Sequence, residues 1–181
     1  MRRWLAWPMG AALLFAAWLV GQVTPPADAD EAPFVVPAVR GEEAQGRNLT
    51  VTVTDVRLAE RVSAGGWAAE GVWLVVDLEA AAAQEEDRAS LHGATLAIGE
   101  RTYRATERAP SFFQQPLHVG IPRAGSLAFE LPPDVVDERA VLRLSGDWET
   151  RLDSLIELPV DLAALDPTGS AELTEIGWAR P

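Results

Sequence analysis

The sequence predicts an all-β fold, a sandwich of about seven to nine short strands preceded by one N-terminal transmembrane helix. Three observations predict it. Residues 1–23 form an apolar run behind two arginines, residues 24–33 are acidic and rich in proline, and from Phe34 onward short β-type runs alternate with Gly, Pro and Asp turns. The chain accordingly divides into an anchor (1–23), a flexible linker (24–33) and an extracytoplasmic domain (34–181).

A hydrocarbon core about 30 Å thick needs about 20 apolar residues in a helix. Trp4 to Val23 supplies such a run, with Gln22 its only strongly polar member. Arg2 and Arg3 hold the N-terminus in the cytoplasm under the positive-inside bias, and the acidic segment downstream crosses. Trp4, Trp7 and Trp18 suit the two headgroup levels, and Pro8 falls in the first turn, where a missing donor costs least. The rival expectation is a signal peptide cleaved after the Ala27, Asp28, Ala29 pattern, which would release a secreted domain. A signal core of about 7 to 15 residues is shorter than this run, so length favours a retained anchor. With no cysteine in the sequence, no thiol is present to carry a lipid or a disulfide.

Of 181 residues, about 150 remain outside the anchor, enough for one domain with its own core. Every basic residue is arginine and alanine is abundant, the signature of a GC-rich bacterial genome. The formal charge is −12, and two units more negative once Arg2 and Arg3 are set aside, which opposes binding to nucleic acid. In residues 24–33, TPPADADEAP, prolines and carboxylates leave too little apolar surface to order the segment. Its reach, on the order of 20 Å, keeps the domain near the membrane.

The strands are read from periodicity. Phe34 to Val39 contains Pro37, which confines it to a sheet edge, and Gly41 to Gly46 reads as a polar turn. Asn48 to Leu58 alternates Leu49, Val51 and Val53 with Thr50, Thr52 and Thr54, a strand with one wet face. Gly71 to Ala80, GVWLVVDLEA, is apolar on both parities and predicts a central strand covered on both sides. Leu91 to Ile98 and Arg101 to Thr106 flank a Gly99, Glu100 turn and predict a hairpin. Ser126 to Leu131, Val141 to Ser145, Ser154 to Val160 and Glu172 to Trp178 complete the set, while Ala80 to Ala89 reads as a loop with one helical turn.

Four of these segments carry a family resemblance: RNLTVTVTDV (Arg47 to Val56), WLVVDLEA (Trp73 to Ala80), TLAIGERTYRAT (Thr95 to Thr106) and LHVGIPRAGSLAFELP (Leu117 to Pro132). Over about Arg47 to Leu162 the chain resembles an exported bacterial family, of a domain of unknown function, with a telokin-like, immunoglobulin-type β-sandwich. The resemblance implies that fold and a cell-surface setting, and brings no catalytic set. Its members are typically lipid-anchored or secreted, whereas this chain has no lipobox cysteine.

The chemistry-bearing residues are sparse. His92 and His118 have no recognised metal-ligand spacing and read as polar loop or strand-end residues. Ser90 and Ser111 precede histidines but lack a nucleophile-elbow pattern. The acidic runs Glu85, Glu86, Asp87 and Asp134, Asp137, Glu138 lack calcium-loop spacing and read as solvated loops. No cofactor and no metal is assigned. Arg101, Arg104 and Arg108 read as a wet strand face, Trp73 as core, and Trp148 and Trp178 as half-exposed residues fit for contacts. In the loop from Ala109 to Pro122, adjacent Phe112 and Phe113 would face opposite ways in a strand. Phe112, Phe113, Gln114 and Gln115 are therefore the candidate interaction loop, against the alternative that both rings plug the sandwich.

The sequence thus leads to a membrane-anchored, non-enzymatic binding or assembly module whose partners are the membrane, through its N-terminal helix, and another envelope or membrane protein. An accessory subunit of a membrane transport or secretion complex and an envelope hydrolase are the alternatives.

Overall fold

A computed structural model describes residues 6–23, 31–87 and 89–179, in two compact units divided between Ala32 and Pro33. Arg2, Arg3 and Trp4, the Ala27 to Ala29 pattern and linker residues 24–30 lie outside the described residues.

The first unit holds one helix, α1 (Ala6–Val23). Trp7, Leu13, Leu14, Phe15, Trp18 and Leu19 are all exposed on it. At 1.5 Å per residue it reaches about 27 Å, less than the roughly 30 Å of a hydrocarbon core. No helix among the described residues is long and apolar enough to cross a membrane. Of the transmembrane helix expected over residues 1–23, the described residues show an apolar helix over Ala6–Val23.

The second unit is a two-sheet sandwich of eleven strands, more than the seven to nine expected: β1 (Phe34–Pro37), β2 (Glu43–Gln45), β3 (Thr50–Ala64), β4 (Trp67–Ala81), β5 (Gly93–Ile98), β6 (Arg101–Arg104), β7 (Arg123–Leu131), β8 (Arg139–Ser145), β9 (Ser154–Asp161), β10 (Ala171–Glu172) and β11 (Gly177–Trp178). One sheet runs β1-β9-β8-β5-β6 and the other β10-β3-β4-β7-β11, with β2 paired to β3. β1 lies parallel to β9 at a sheet edge, the place Pro37 tolerates.

The alternation on β3 works as read, with one twist. Leu49, Val51 and Val53 are buried, and a register shift between Val53 and Asp55 then changes parity, so that Val56 and Leu58 turn inward. An extra residue in one strand does this without breaking the ladder. β4 is covered on both faces. Leu74, Val76 and Leu78 join the inter-sheet core, while Trp73 and Val75 belong to a second cluster with Val62, Ala109, Ala128, Ala171 and Leu173.

Three boundaries differ from expectation. The supposed turn at 41–46 contains β2, and β3 continues past Leu58 to a hairpin whose turn is Gly65 and Gly66, both at positive φ. The supposed last strand, Glu172 to Trp178, is a strap: β10 pairs one edge of its sheet, β11 pairs the other, and residues between them cross the outer face. The strap holds because Leu173 enters the second cluster and the Thr174 amide donates to Ser126 Oγ at 2.7 Å.

Candidate functional site

The side chains that could act on a partner gather at the end of the sandwich where β1 begins, called here the proximal end. The registers Phe34 with Ser154, Gly93 with Ser145 and Ala80 with Arg123 bring together the starts of β1, β5, β7 and β9 and the ends of β4 and β8. Arg47 ties the two sheets there: its amide donates to Ser154 Oγ at 2.8 Å and its guanidinium to the Leu152 carbonyl at 2.6 Å.

Trp148, in the loop between β8 and β9, is 46% exposed yet held on three sides. The Arg104 guanidinium stands 4.3 Å above its ring, Phe113 meets it edge-on at 5.7 Å between centroids, and His92 lies at 6.4 Å. A cation over an indole face is attracted by the ring quadrupole. Trp178 is 60% exposed, with the His118 ring at 5.4 Å and the Arg123 guanidinium at 5.9 Å. Both tryptophans are thus wet and oriented at once.

The expected interaction loop resolves differently. Phe112 and Phe113 are both buried, so neither ring offers a surface, and the plug arrangement is the one observed. The segment is a turn pinned by the Phe112 amide to the Ser126 carbonyl (2.8 Å) and the Gln114 amide to the Leu91 carbonyl (3.0 Å). The alternation rule for strands does not apply to it. Gln114 is exposed at φ 60° and Gln115 is half-buried. Phe112 lies against Gly125, where a Cβ would come within 2.7 Å of its Cδ2.

The remaining candidates do not converge. Ser90 Oγ and His92 Nδ1 hydrogen-bond at 2.6 Å, the nearest approach to a nucleophile and base. Nδ1 also lies 3.3 Å from the Gly146 carbonyl, so a carbonyl and not a carboxylate orients the imidazole, and Ser90 itself is buried. Glu86 accepts from the Val119 amide at the proximal end, whereas Asp134 and Glu138 sit at the opposite end with Arg101. The Arg101 hydrogen bond holds the Asp134 carboxyl below its usual range and raises the guanidinium in turn. Arg108 pairs with Glu130 and lies near the edge-on pair Trp67 and Trp73, on the outer face. Trp73 Nε1 and the Tyr103 hydroxyl are buried without a hydrogen-bond partner. Among the described residues no group of three or more His, Cys, Asp or Glu could hold a metal ion.

Sequence reasoning missed a cleft of about 480 Å³ beside β1, walled by Ala38, Val39, Val56, Leu158 and Leu165 with Arg40 and Asp161 at its margin. Its walls come from both sheets, and no local pattern announces such a meeting. The guanidinium partners of Trp148 and Trp178 were equally hidden, since Arg104 and Trp148 are far apart in sequence.

No family model matches the chain, and no curated protein matches it. Among solved structures it is similar to an uncharacterized beta-sandwich protein from Clostridium difficile 630, with a TM-score of 0.47 and 11% identity, covering 74% of this chain and 99% of that one.

Proposed function

We propose that this protein is a membrane-held extracytoplasmic β-sandwich that works by binding or assembly, with residues 1–23 as a single-pass anchor and the N-terminus in the cytoplasm. The observation that carries the reading is α1, whose large apolar side chains are exposed from Trp7 to Val20. Such a surface is stable only when lipid or protein covers it. We further infer an immunoglobulin-type arrangement, in keeping with the exported bacterial family that the sequence resembles. Supporting it are the three-strand unit β3-β4-β7 facing β6-β5-β8-β9, with β1 added in parallel to β9.

Binding is favoured over reaction by the geometry. The two acid runs stand at opposite ends, and the hydroxyl–imidazole pair of Ser90 and His92 is only part-exposed and is oriented by a carbonyl. The fixed, half-exposed Trp148 and Trp178 instead suit recognition, because an ordered aromatic loses little freedom when it is covered.

The test is fractionation with intact-mass measurement. The full chain expressed in bacteria should remain in the membrane pellet after an alkaline wash, with a mass that includes residues 1–29. Release into the wash, or a mass beginning after Ala29, would replace the anchor by the secreted alternative.

A second reading, an accessory subunit of a membrane complex, is favoured by the cleft beside β1. An apolar segment of a partner could fill it against Val39, Val56, Leu158 and Leu165.

A further inference from the structure

We infer that the proximal end of the sandwich lies on the surface of a zwitterionic lipid bilayer, with Trp148 and Trp178 at headgroup level. The inference rests on the membrane-held reading above and adds to it a face and a lipid class.

Exposed apolar residues scattered singly over a domain are ordinary; their gathering is what carries information. In this sandwich, among the described residues, every exposed large hydrophobic side chain except Val39 belongs to the proximal end. Phe34 and Val35 open β1, and Leu152 precedes β9. Val119 and Ile121 lie just before β7, whose first residue, Arg123, faces Trp178 across the β7–β11 pair. Val39 lies past the other end of β1, beside the cleft.

The chemistry of the two tryptophans names the occupant. Indole has an apolar body and one polar N–H, which fits the boundary between acyl chains and headgroups. Each ring here carries a guanidinium, Arg104 at 4.3 Å and Arg123 at 5.9 Å, able to donate to phosphate oxygens just above that boundary. The remaining charges select the lipid. Arg47 and Arg151 are exposed at the same end, but Glu85, Glu86, Asp87, Asp147 and Glu149 outnumber them there, and the chain as a whole is at −12, so an anionic surface repels it. A zwitterionic headgroup still offers phosphates to the arginines. The chain itself supplies the continuity: β1 begins at this end, and in sequence only residues 24–33 separate it from the apolar run.

The sequence contains no cysteine, so single labels can be placed cleanly. Ile121→Cys, Leu152→Cys and, as the control, Val39→Cys are spin-labelled in the full chain and reconstituted into vesicles of phosphatidylcholine and phosphatidylethanolamine. Collisions with molecular oxygen, which concentrates in lipid, and with a water-borne nickel chelate are then compared. Labels at 121 and 152 are expected to favour oxygen several-fold over the label at 39. If the chain sits in the vesicles and all three labels meet the nickel chelate equally, the lipid face is refuted while the anchor stands. Labels at 121 and 152 shielded from both reagents would mean that protein, a second copy included, covers this end, which also overturns the inference. A chain that does not float with the vesicles defeats the membrane-held reading itself.

Discussion

Arg57 on β3 and Asp77 on β4 are paired across the outer face of the larger sheet, and Asp77 also accepts from the Ser126 hydroxyl. Ser126 Oγ in turn accepts the Thr174 amide at 2.7 Å, and the Arg57 guanidinium donates to the Glu172 carbonyl at 3.2 Å. A half-buried ion pair is therefore the pin that fastens the C-terminal strap to the sheet. Burial opposes charge on Arg57, but hydrogen bonds to Asp77 and Asp55 outweigh it, and the guanidinium is held more firmly protonated than usual.

Asp77→Ala should destabilise the sandwich by about 2 kcal/mol, less than a fully buried pair because both side chains retain some solvent contact. Amide exchange in residues 171–178 should rise more than in β8. Unchanged exchange in the strap would show that Leu173 packing alone holds it.

Phe112→Ala should cost about 3 to 5 kcal/mol by denaturant unfolding, since the ring is wholly buried. Gly125→Ala should cost about 1 to 3 kcal/mol by driving a methyl group into that ring. The double variant should cost less than the two losses added, because removal of the ring makes room for the methyl. Additive losses would separate the two residues.

Trp73→Ala should likewise cost about 3 to 5 kcal/mol, and Trp148→Ala within about 1 kcal/mol, although both remove an indole. Trp73 is fully buried between strands and strap, whereas Trp148 is half in water. Equal losses would contradict a recognition role for Trp148.

Asp134 gives a pH prediction with a definite sign. Its carboxyl is held below the usual range in the folded chain, mainly by the Arg101 hydrogen bond. A depressed folded value stabilises the fold above the ordinary carboxylate value, and that contribution is lost as pH falls through the folded value. Carboxyl carbon NMR should show Asp134 titrating low in the native chain and at its ordinary position in Arg101→Gln. Coincident titrations would remove the pairing.

The strands were legible wherever one face is wet or both are dry over a continuous run. Leu49 to Val53 and Trp73 to Leu78 announce themselves by parity, and Pro37 announces an edge. What escaped was set by contacts distant in sequence. The strap reads as a strand because Glu172 to Trp178 is a short mixed run following the Asp166 to Gly169 turn, yet Thr174 spends its amide on Ser126 and not on a ladder. Past Leu58, the charged Glu60 and Arg61 mask the continuation of β3, whose buried Val62 meets Ala171 of the strap. In the loop after β6, two adjacent phenylalanines can both turn inward because a turn, unlike a pleated strand, need not alternate. The exposed tryptophans were legible as residues, but their arginine partners belong to the fold.

Protease added to intact and to lysed bacterial spheroplasts tests the central claim most directly. The account predicts that the acidic sandwich is degraded or released in intact spheroplasts, leaving only the apolar N-terminal segment with the membrane. A sandwich that stays protected until the cells are lysed would place it on the cytoplasmic side and contradict the account.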